Sequence, residues 1–282
     1  MPILCLVLET NQTVHRADFT TSEKKKQIPG IYLKRFTIII PAYNEEKRIA
    51  PVLNDICRFV SENKLPWDVI VAIDGNDTTY DIAVSFAETY DFISIDQSHE
   101  RSGKGGAIKR VLPNIDGEFT ILMDADNSIG FLDIVEAVQL LEKCDAVILS
   151  RYTGKNKIPL LRRFLSRGFN IIVRSITGLN VSDTQSGYKL FRSDFFIHAM
   201  RRVTVTNASY DVALLYHIKK MGGRITETPA EYTHADNGKL NPLSMAMSFG
   251  ISLAAFRIRN SPLYAHVPQF LIKLYRRKFR WL

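Results

Sequence analysis

Beyond Asp236 the sequence contains no acidic residue. Eight cations follow that point, Lys239, Arg257, Arg259, Lys273, Arg276, Arg277, Lys278 and Arg280, and they equal the whole formal net charge of +8. Upstream, basic and acidic residues balance. The chain therefore lacks the distributed positive surface of a nucleic-acid groove and instead joins a neutral body to a basic, aromatic-bearing end suited to a membrane surface. Cysteine is scarce as well: Cys5, Cys57 and Cys144 show no zinc or disulfide spacing, which disfavours thiol chemistry and favours a reducing compartment. No apolar run reaches the roughly 20 residues of a spanning helix. Leu243 to Phe256 comes nearest, but serines and Gly250 interrupt it. Ile3 to Leu8 has no basic residue before it and no long apolar continuation, so a signal peptide is not expected. Internal repeats and low-complexity tracts are absent. No Gly-x-Gly-x-x-Gly follows the first strand, and the Gly-x-x-x-x-Gly-Lys-Ser/Thr spacing is missing, which disfavours dehydrogenase and Walker-type readings.

What is present is alternation. With 282 residues and 46% apolar content, the chain is long enough for one large domain with a substantial core. Strands are expected at Phe36 to Ile40, Val69 to Ile73, Phe92 to Ile95, Phe119 to Met123 and Ala146 to Leu149. Helices are expected between them, the first capped by Asn44 and interrupted or delayed by Pro51. Strands alternating with helices predict a mostly parallel α/β sheet. After Ser150 the pattern predicts a long helix from Leu160 to Ile176, strands at Tyr188 to Phe191 and Arg224 to Pro229, and helices near Phe195 to Arg201 and Tyr210 to Lys220. Glu9 to Gly30 reads as a loose polar arm.

Three of the strands end in polar turns: Pro41-Ala42-Tyr43-Asn44-Glu45, Asp74-Gly75 and Asp124-Ala125-Asp126. In open α/β sheets the ligand crevice lies at such carboxyl ends. Asp124 and Asp126 alternate along an extended strand end, so both side chains point the same way and are able to share a hard divalent cation. An isolated Asp-x-Asp is more often a solvated turn; its position here argues otherwise. Tyr43 and Asp74 stand where a base and a ribose are held, although Asp-Gly also makes a turn unaided. Ser102-Gly103-Lys104-Gly105-Gly106 opens a helix and offers backbone N–H groups and a cation to a phosphate. Arg162, Ser166 and Asn170 recur every fourth residue on one helical face, which suits an anionic head group with an apolar tail. The same spacing also fits a surface helix with snorkelling arginines.

Taken in order with Ser150-Arg151-Tyr152 and Asp183-Thr184-Gln185-Ser186-Gly187-Tyr188-Lys189, these motifs resemble the inverting family 2 glycosyltransferases with a GT-A, Rossmann-like fold. Among those, the dolichyl-phosphate glucose and mannose synthases are most similar, over about Phe36 to Lys239. The resemblance implies nucleotide-sugar contacts at Pro41, Tyr43, Glu45, Asp74, Lys104, Gly105, Asp124, Ala125 and Asp126. It implies Mg²⁺ or Mn²⁺ at Asp124 and Asp126, and acceptor-phosphate contacts at Arg151, Arg162, Ser166 and Lys239. Catalysis would fall to Asp124, Asp126, Arg151 and Asp183, the last either as a base or as a loop-ordering residue. Ile73 and Ser128 depart from the common pattern, where an aspartate and a glutamine are frequent. Tyr232 to Leu240 resembles the glucose type, and Thr233 replaces the arginine of mannose synthases, so UDP-glucose is expected over GDP-mannose.

The expected organisation is an arm over 1–30, a GT-A catalytic domain over 31–240 and an amphipathic, membrane-associating helical tail over 241–282. The expected location is the cytoplasmic face of a membrane, held peripherally by that tail, with a nucleotide sugar and a polyprenyl or dolichyl phosphate as partners and no nucleic acid. Competing readings are a transferase acting on a hydroxyl of a lipid-linked glycan or polysaccharide, and an inactive nucleotide- or lipid-binding homologue.

Overall fold

The structure, a computed structural model, describes residues 34–153, 160–205, 209–232 and 242–270; the side chains of 160–167, 169, 242–249 and 262–263 lie outside that description. Seven strands form one sheet: β1 (Phe36–Tyr43), β2 (Trp67–Asp74), β3 (Ile93–Ser98), β4 (Phe119–Leu122), β5 (Ala146–Ser150), β6 (Lys189–Arg192) and β7 (Ile225–Pro229). Their order is β3-β2-β1-β4-β6-β5-β7. Only β6 runs antiparallel, pairing that way with both β4 and β5. The chain leaves β1 towards β2 and β3 and then returns to β4 on the other side. That reversal opens a crevice between the carboxyl ends of β1 and β4.

The strands alternate their side chains between two buried layers, as a sheet covered on both faces must. Ile38, Ile40, Val69, Val71 and Ile73 pack with α1 (Ile49–Asn63), α2 (Thr79–Ala87) and α4 (Phe131–Ala137). Ile39, Ile70, Ala72, Leu122 and Ile148 face α3 (Lys104–Arg110), α6 (Ser193–Arg202), α7 (Tyr210–Lys220) and the Leu253–Phe256 side of α8 (Pro242–Arg259). The long α5 (Leu160–Thr177) packs against α8. No helix of the described residues is long and apolar enough to cross a membrane.

One local expectation changes. Asn44 does not cap α1; it takes a left-handed conformation with φ of 55°, and a turn intervenes in which Glu45 O accepts from Arg48 N and Ile49 N. Arg48 flanks the helix instead. Pro51 then falls in the first turn, where its missing N–H breaks no bond, so α1 starts late and is not interrupted by it. The expected arm over 1–30 and the tail beyond 270 lie outside the described residues.

Candidate functional site

Parallel register sets the base of the crevice. Tyr43 at the end of β1 lies opposite Asp74 at the end of β2, and Asp74 lies opposite Ser98 at the end of β3. Beyond these ends a cleft of about 380 Å³ opens, bordered by Tyr43, Asn44, Asn76, Asp77, His99 and Arg101. Tyr43 is 42% exposed, and the Arg101 guanidinium lies over its ring at 4.2 Å from the centroid. An exposed aromatic face beside amide, carboxylate and imidazole groups offers stacking and hydrogen bonds together.

Asp74 does not line that cleft with a free carboxylate. It is buried and accepts from Ser102 N (2.7 Å), Gly103 N (3.1 Å), Ser102 Oγ (2.9 Å) and Arg110 Nη1 (2.9 Å). Arg110 also donates from Nε to Asp96 (2.8 Å) and from Nη1 to Ser102 Oγ (2.6 Å). The aspartate expected to hold a ribose therefore anchors the Ser102–Gly103 turn. Gly103 takes φ of +75° there, a conformation glycine supplies at least cost. That turn delivers Lys104 to the crevice, while Gly105 behind it is buried.

Lys104 Nζ is ion-paired with Asp124 Oδ1. Burial pushes the Asp124 carboxyl upward, but Lys104, with Lys189 and Arg151 further away, outweighs it and holds the group below its ordinary range. Burial likewise works against a charge on Lys104, yet Asp124, Tyr210 and Asp211 raise its pKa well above the ordinary value. Behind this pair, buried Lys189 donates to Ser186 O and to Asp211 Oδ1 at 2.6 Å. Alternating charges run from Asp124 through Lys104 and Asp211 to Lys189. Sequence reasoning missed Tyr210 and Asp211, which no motif marked; Lys189 was visible only as part of a motif.

β4 ends at Leu122, so in place of the expected extended strand end there is an irregular segment that turns at Ala125 and Asp126; Ala125 is buried and Asp126 half-buried. Its Oδ1 accepts from Tyr188 Oη (3.0 Å) and Ser128 N (3.1 Å), while Oδ2 faces no donor among the described residues. Glu45 stands near enough that both aspartates act on it: burial raises its pKa, Arg48 opposes this, and Asp126 and Asp124 add to the rise. Among the described residues no three His, Cys, Asp or Glu side chains gather as a ready metal cage. A pair of aspartates with an unengaged oxygen and a nearby glutamate fits Mg²⁺ or Mn²⁺ bound through one or two carboxylates, with waters and ligand oxygens completing the shell.

Across the crevice Arg151 grips Asp183: N donates to Oδ2 at 3.0 Å, Nε to Oδ2 at 2.8 Å and Nη2 to Oδ1 at 2.6 Å. Asp183 is 2% exposed. Burial works against the Arg151 charge, and Asp183 more than restores it, so the pKa rises. Tyr152 and Tyr232 place their rings within 6 Å of the same guanidinium, at 5.7 and 5.8 Å. Glu227 on β7 fixes the loop from below, accepting from Ser182 N and Asp183 N at 2.8 Å each. The expected residues Pro41, Tyr43, Glu45, Lys104, Asp124, Asp126, Arg151 and Asp183 thus share one edge of the sheet. Arg162 and Ser166 lie on the backbone of α5 with side chains outside the described residues, and Lys239 and Thr233 lie outside them altogether.

The sequence profile of Glycosyl transferase family 2 matches residues 37–199. A dolichyl-phosphate beta-glucosyltransferase of Dictyostelium discoideum is 28% identical over 255 residues, covering 84% of this chain and 77% of that protein. The Homo sapiens protein of the same name is 25% identical over 258 residues, covering 84% and 80%. Among solved structures, glucosyl-3-phosphoglycerate synthase from Mycobacterium tuberculosis in complex with Mg²⁺ and uridine diphosphate superposes with a TM-score of 0.60 at 18% identity, covering 79% of each chain. Mannosyl-3-phosphoglycerate synthase from Rubrobacter xylanophilus gives 0.59 at 17%, covering 84% of this chain and 77% of that one. At these identities the structures speak for the fold.

Proposed function

The chain belongs to glycosyl transferase family 2, and from that premise we propose that it is an inverting enzyme transferring glucose from UDP-glucose to the phosphate of a dolichyl or other polyprenyl lipid. The carrying observation is the meeting, at one crevice, of an acidic corner built on Asp124 and Asp126 with a cationic corner built on Arg151, whose charge acts on Asp124. Relatives named dolichyl-phosphate beta-glucosyltransferases support the sugar and the acceptor. The uridine diphosphate complex of a protein sharing the fold supports the base.

In this reading Tyr43 and Arg101 hold the base, and the Ser102–Gly103 turn presents Lys104 to the diphosphate. Asp124 and Asp126 would hold Mg²⁺ or Mn²⁺, which when bound would supply Lewis-acid neutralisation of charge on the diphosphate. Arg151 positions the acceptor phosphate, joined by Arg162, Ser166 and Lys239. A phosphomonoester, with a second pKa of about 6, is already a dianion for the most part at neutral pH. It needs no general base. Asp183, saturated by Arg151 on its buried side, serves to aim that arginine. The rate then comes from holding the lipid phosphate in line with the anomeric carbon and from fixed charge around the leaving group. A lipid acceptor and a basic carboxyl-terminal end support a peripheral position on a membrane, which this reading sets at the cytoplasmic face.

Incubation with polyprenyl phosphate and a panel of radiolabelled nucleotide sugars, with and without Mg²⁺ or Mn²⁺, tests this. Metal-dependent entry of glucose from UDP-glucose into a mild-acid-labile lipid is expected. Label found only in an oligosaccharide or polymer would transfer the reading to a hydroxyl acceptor. Tight UDP binding without transfer would replace it with an inactive homologue.

A further inference from the structure

The segment that carries the two aspartates is not held by the sheet. β4 ends at Leu122, and the last bond towards β1 runs from Met123 N to Ile39 O at 3.1 Å. From Asp124 to Ser128 the chain is irregular, and Asn127 takes a left-handed conformation with φ of 52°. With no ladder to fix this stretch, hydrogen bonds from elsewhere in the fold set the direction of its carboxylates.

One phenol supplies them. Tyr188 Oη lies 3.0 Å from Asp126 Oδ1, 3.0 Å from Ser128 N and 3.4 Å from Asp124 O. Ser128 N can only donate, and it is shared between the phenol oxygen and Asp126 Oδ1, the latter at 3.1 Å. The phenol proton is therefore left for an acceptor, and the Asp126 carboxylate is both the nearer and the charged one. Two donors thus converge on Oδ1, and none among the described residues meets Oδ2. Every partner of the hydroxyl among the described residues belongs to the Asp124-to-Ser128 segment. A phenylalanine would fill the same space; the oxygen serves the aspartates.

The residue that brings this oxygen is itself fixed. Tyr188 is 1% exposed. Its N donates to Ser186 Oγ at 3.2 Å, and its carbonyl accepts from Leu149 N at 3.1 Å. The next residue, Lys189, opens β6 opposite Leu122 of β4 and Ile148 of β5. Its buried ammonium donates to Ser186 O and to Asp211 Oδ1. Consecutive residues of an extended chain point to opposite faces. Lys189 accordingly ties this end of β6 to α7 in one layer, while the Tyr188 ring lies in the other and reaches the aspartates.

We propose that Tyr188 is a positioning residue for the divalent cation: its hydroxyl ties Asp126 Oδ1 to Ser128 N and so leaves Oδ2, together with Asp124, as the oxygens presented to the ion. The proposal deepens the reading of these aspartates as a metal corner and rests on it. A group that orients a liganding carboxylate governs affinity without touching the ion, and its removal typically costs about ten- to a hundredfold.

The test is Mn²⁺ binding by the full chain in the presence of UDP, read from loss of the free-ion electron paramagnetic resonance signal, with no acceptor and no turnover. Tyr188→Phe keeps the ring and deletes one oxygen. Its dissociation constant for Mn²⁺ should rise about tenfold or more, while UDP affinity without metal stays at the wild-type value. Phe191→Leu is the structural control, a buried change on the same strand that packs with Phe196 in the other layer. It should lower the melting temperature and leave the Mn²⁺ constant unchanged. Equal Mn²⁺ affinity in the wild type and Tyr188→Phe would overturn the proposal, and so would an equal loss in Phe191→Leu. If Tyr188→Phe does not fold, a fluorotyrosine at position 188 keeps the hydroxyl and reports by ¹⁹F NMR. Mg²⁺ added to the UDP-bound protein should shift that signal; an unmoved signal would overturn the proposal. Failure of the underlying reading looks different. A wild type that binds no Mn²⁺ with UDP would remove the metal corner and the proposal with it, whereas Mn²⁺ binding as described, with no sugar transfer to any polyprenyl phosphate, would sink the lipid acceptor and leave Tyr188 in its role.

Discussion

Gly187 lies against the carboxylate of Asp124 so closely that a Cβ at position 187 would overlap both of its oxygens. The glycine of the Asp183-to-Gly187 loop is thus the wall that lets an aspartate just beyond β4 stand at the crevice. Gly187→Ala should displace Asp124 and cut kcat about a hundredfold, the scale expected when a reacting geometry shifts by about 1 Å. Steady-state kinetics should show this with little change in melting temperature; unchanged kcat would contradict it.

Asp183 should behave as a positioning residue. Asp183→Asn leaves the buried Arg151 charge without its counter-ion and should cost about 3 kcal/mol of stability. It should raise the KM for acceptor while retaining UDP affinity and the wild-type pH–rate profile. Loss of turnover at every acceptor concentration, with nucleotide binding intact, would instead identify a base.

The Asp74–Arg110 pair should govern the donor. Arg110→Met frees the Ser102–Gly103 turn that places Arg101 on one side and Lys104 on the other. UDP affinity measured by calorimetry should fall about tenfold or more, about 1.4 kcal/mol per decade. Arg110→Lys should recover part of it. The KM for acceptor should be unaffected.

His217 should give the protein an acid-sensitive stability. Its Nε2 is buried with no hydrogen-bond partner among the described residues, and its ring packs edge-on against Phe256 of α8. Burial, followed by Lys220, Arg202 and Lys109, lowers its pKa from 6.5 to about 4. Between those values the unfolded chain binds the proton and the folded one does not, so stability is complete above pH 6.5 and is lost as pH falls. Denaturant titrations should show the wild type losing about 2 kcal/mol more than His217→Phe between pH 7 and pH 5. Equal losses would contradict this.

Much of the architecture was legible because buried strands and amphipathic helices leave periodic marks. The helix at Tyr210–Lys220 and the strand tips at Tyr43 and Asp74 lie where the sequence places them, while β4 stops at Leu122, two residues before Asp124. The antiparallel setting of β6 was not legible, since a strand as short as Lys189–Arg192, with only Leu190 and Phe191 apolar, is compatible with either direction. The engagement of the Asp74 carboxylate by Arg110, on α3, was not legible either, because no spacing in the sequence links them. His99 and Arg101 reach the cleft only through the register of β3 on β2. Tyr210 and Asp211 arrive from a helix whose pattern announces only its buried face.

In the proposed reaction a lipid phosphate, aimed by Arg151, displaces the diphosphate of UDP-glucose held at Asp124 and Asp126. The most direct measurement is the bond made: product from UDP-[¹³C]glucose and a polyprenyl phosphate, analysed by ¹H and ³¹P NMR. The wild type should form a glucosyl phosphodiester with β configuration at the anomeric carbon, and Asp126→Asn and Arg151→Met should not. An α-linked product, or glucose attached to a hydroxyl oxygen, would contradict it.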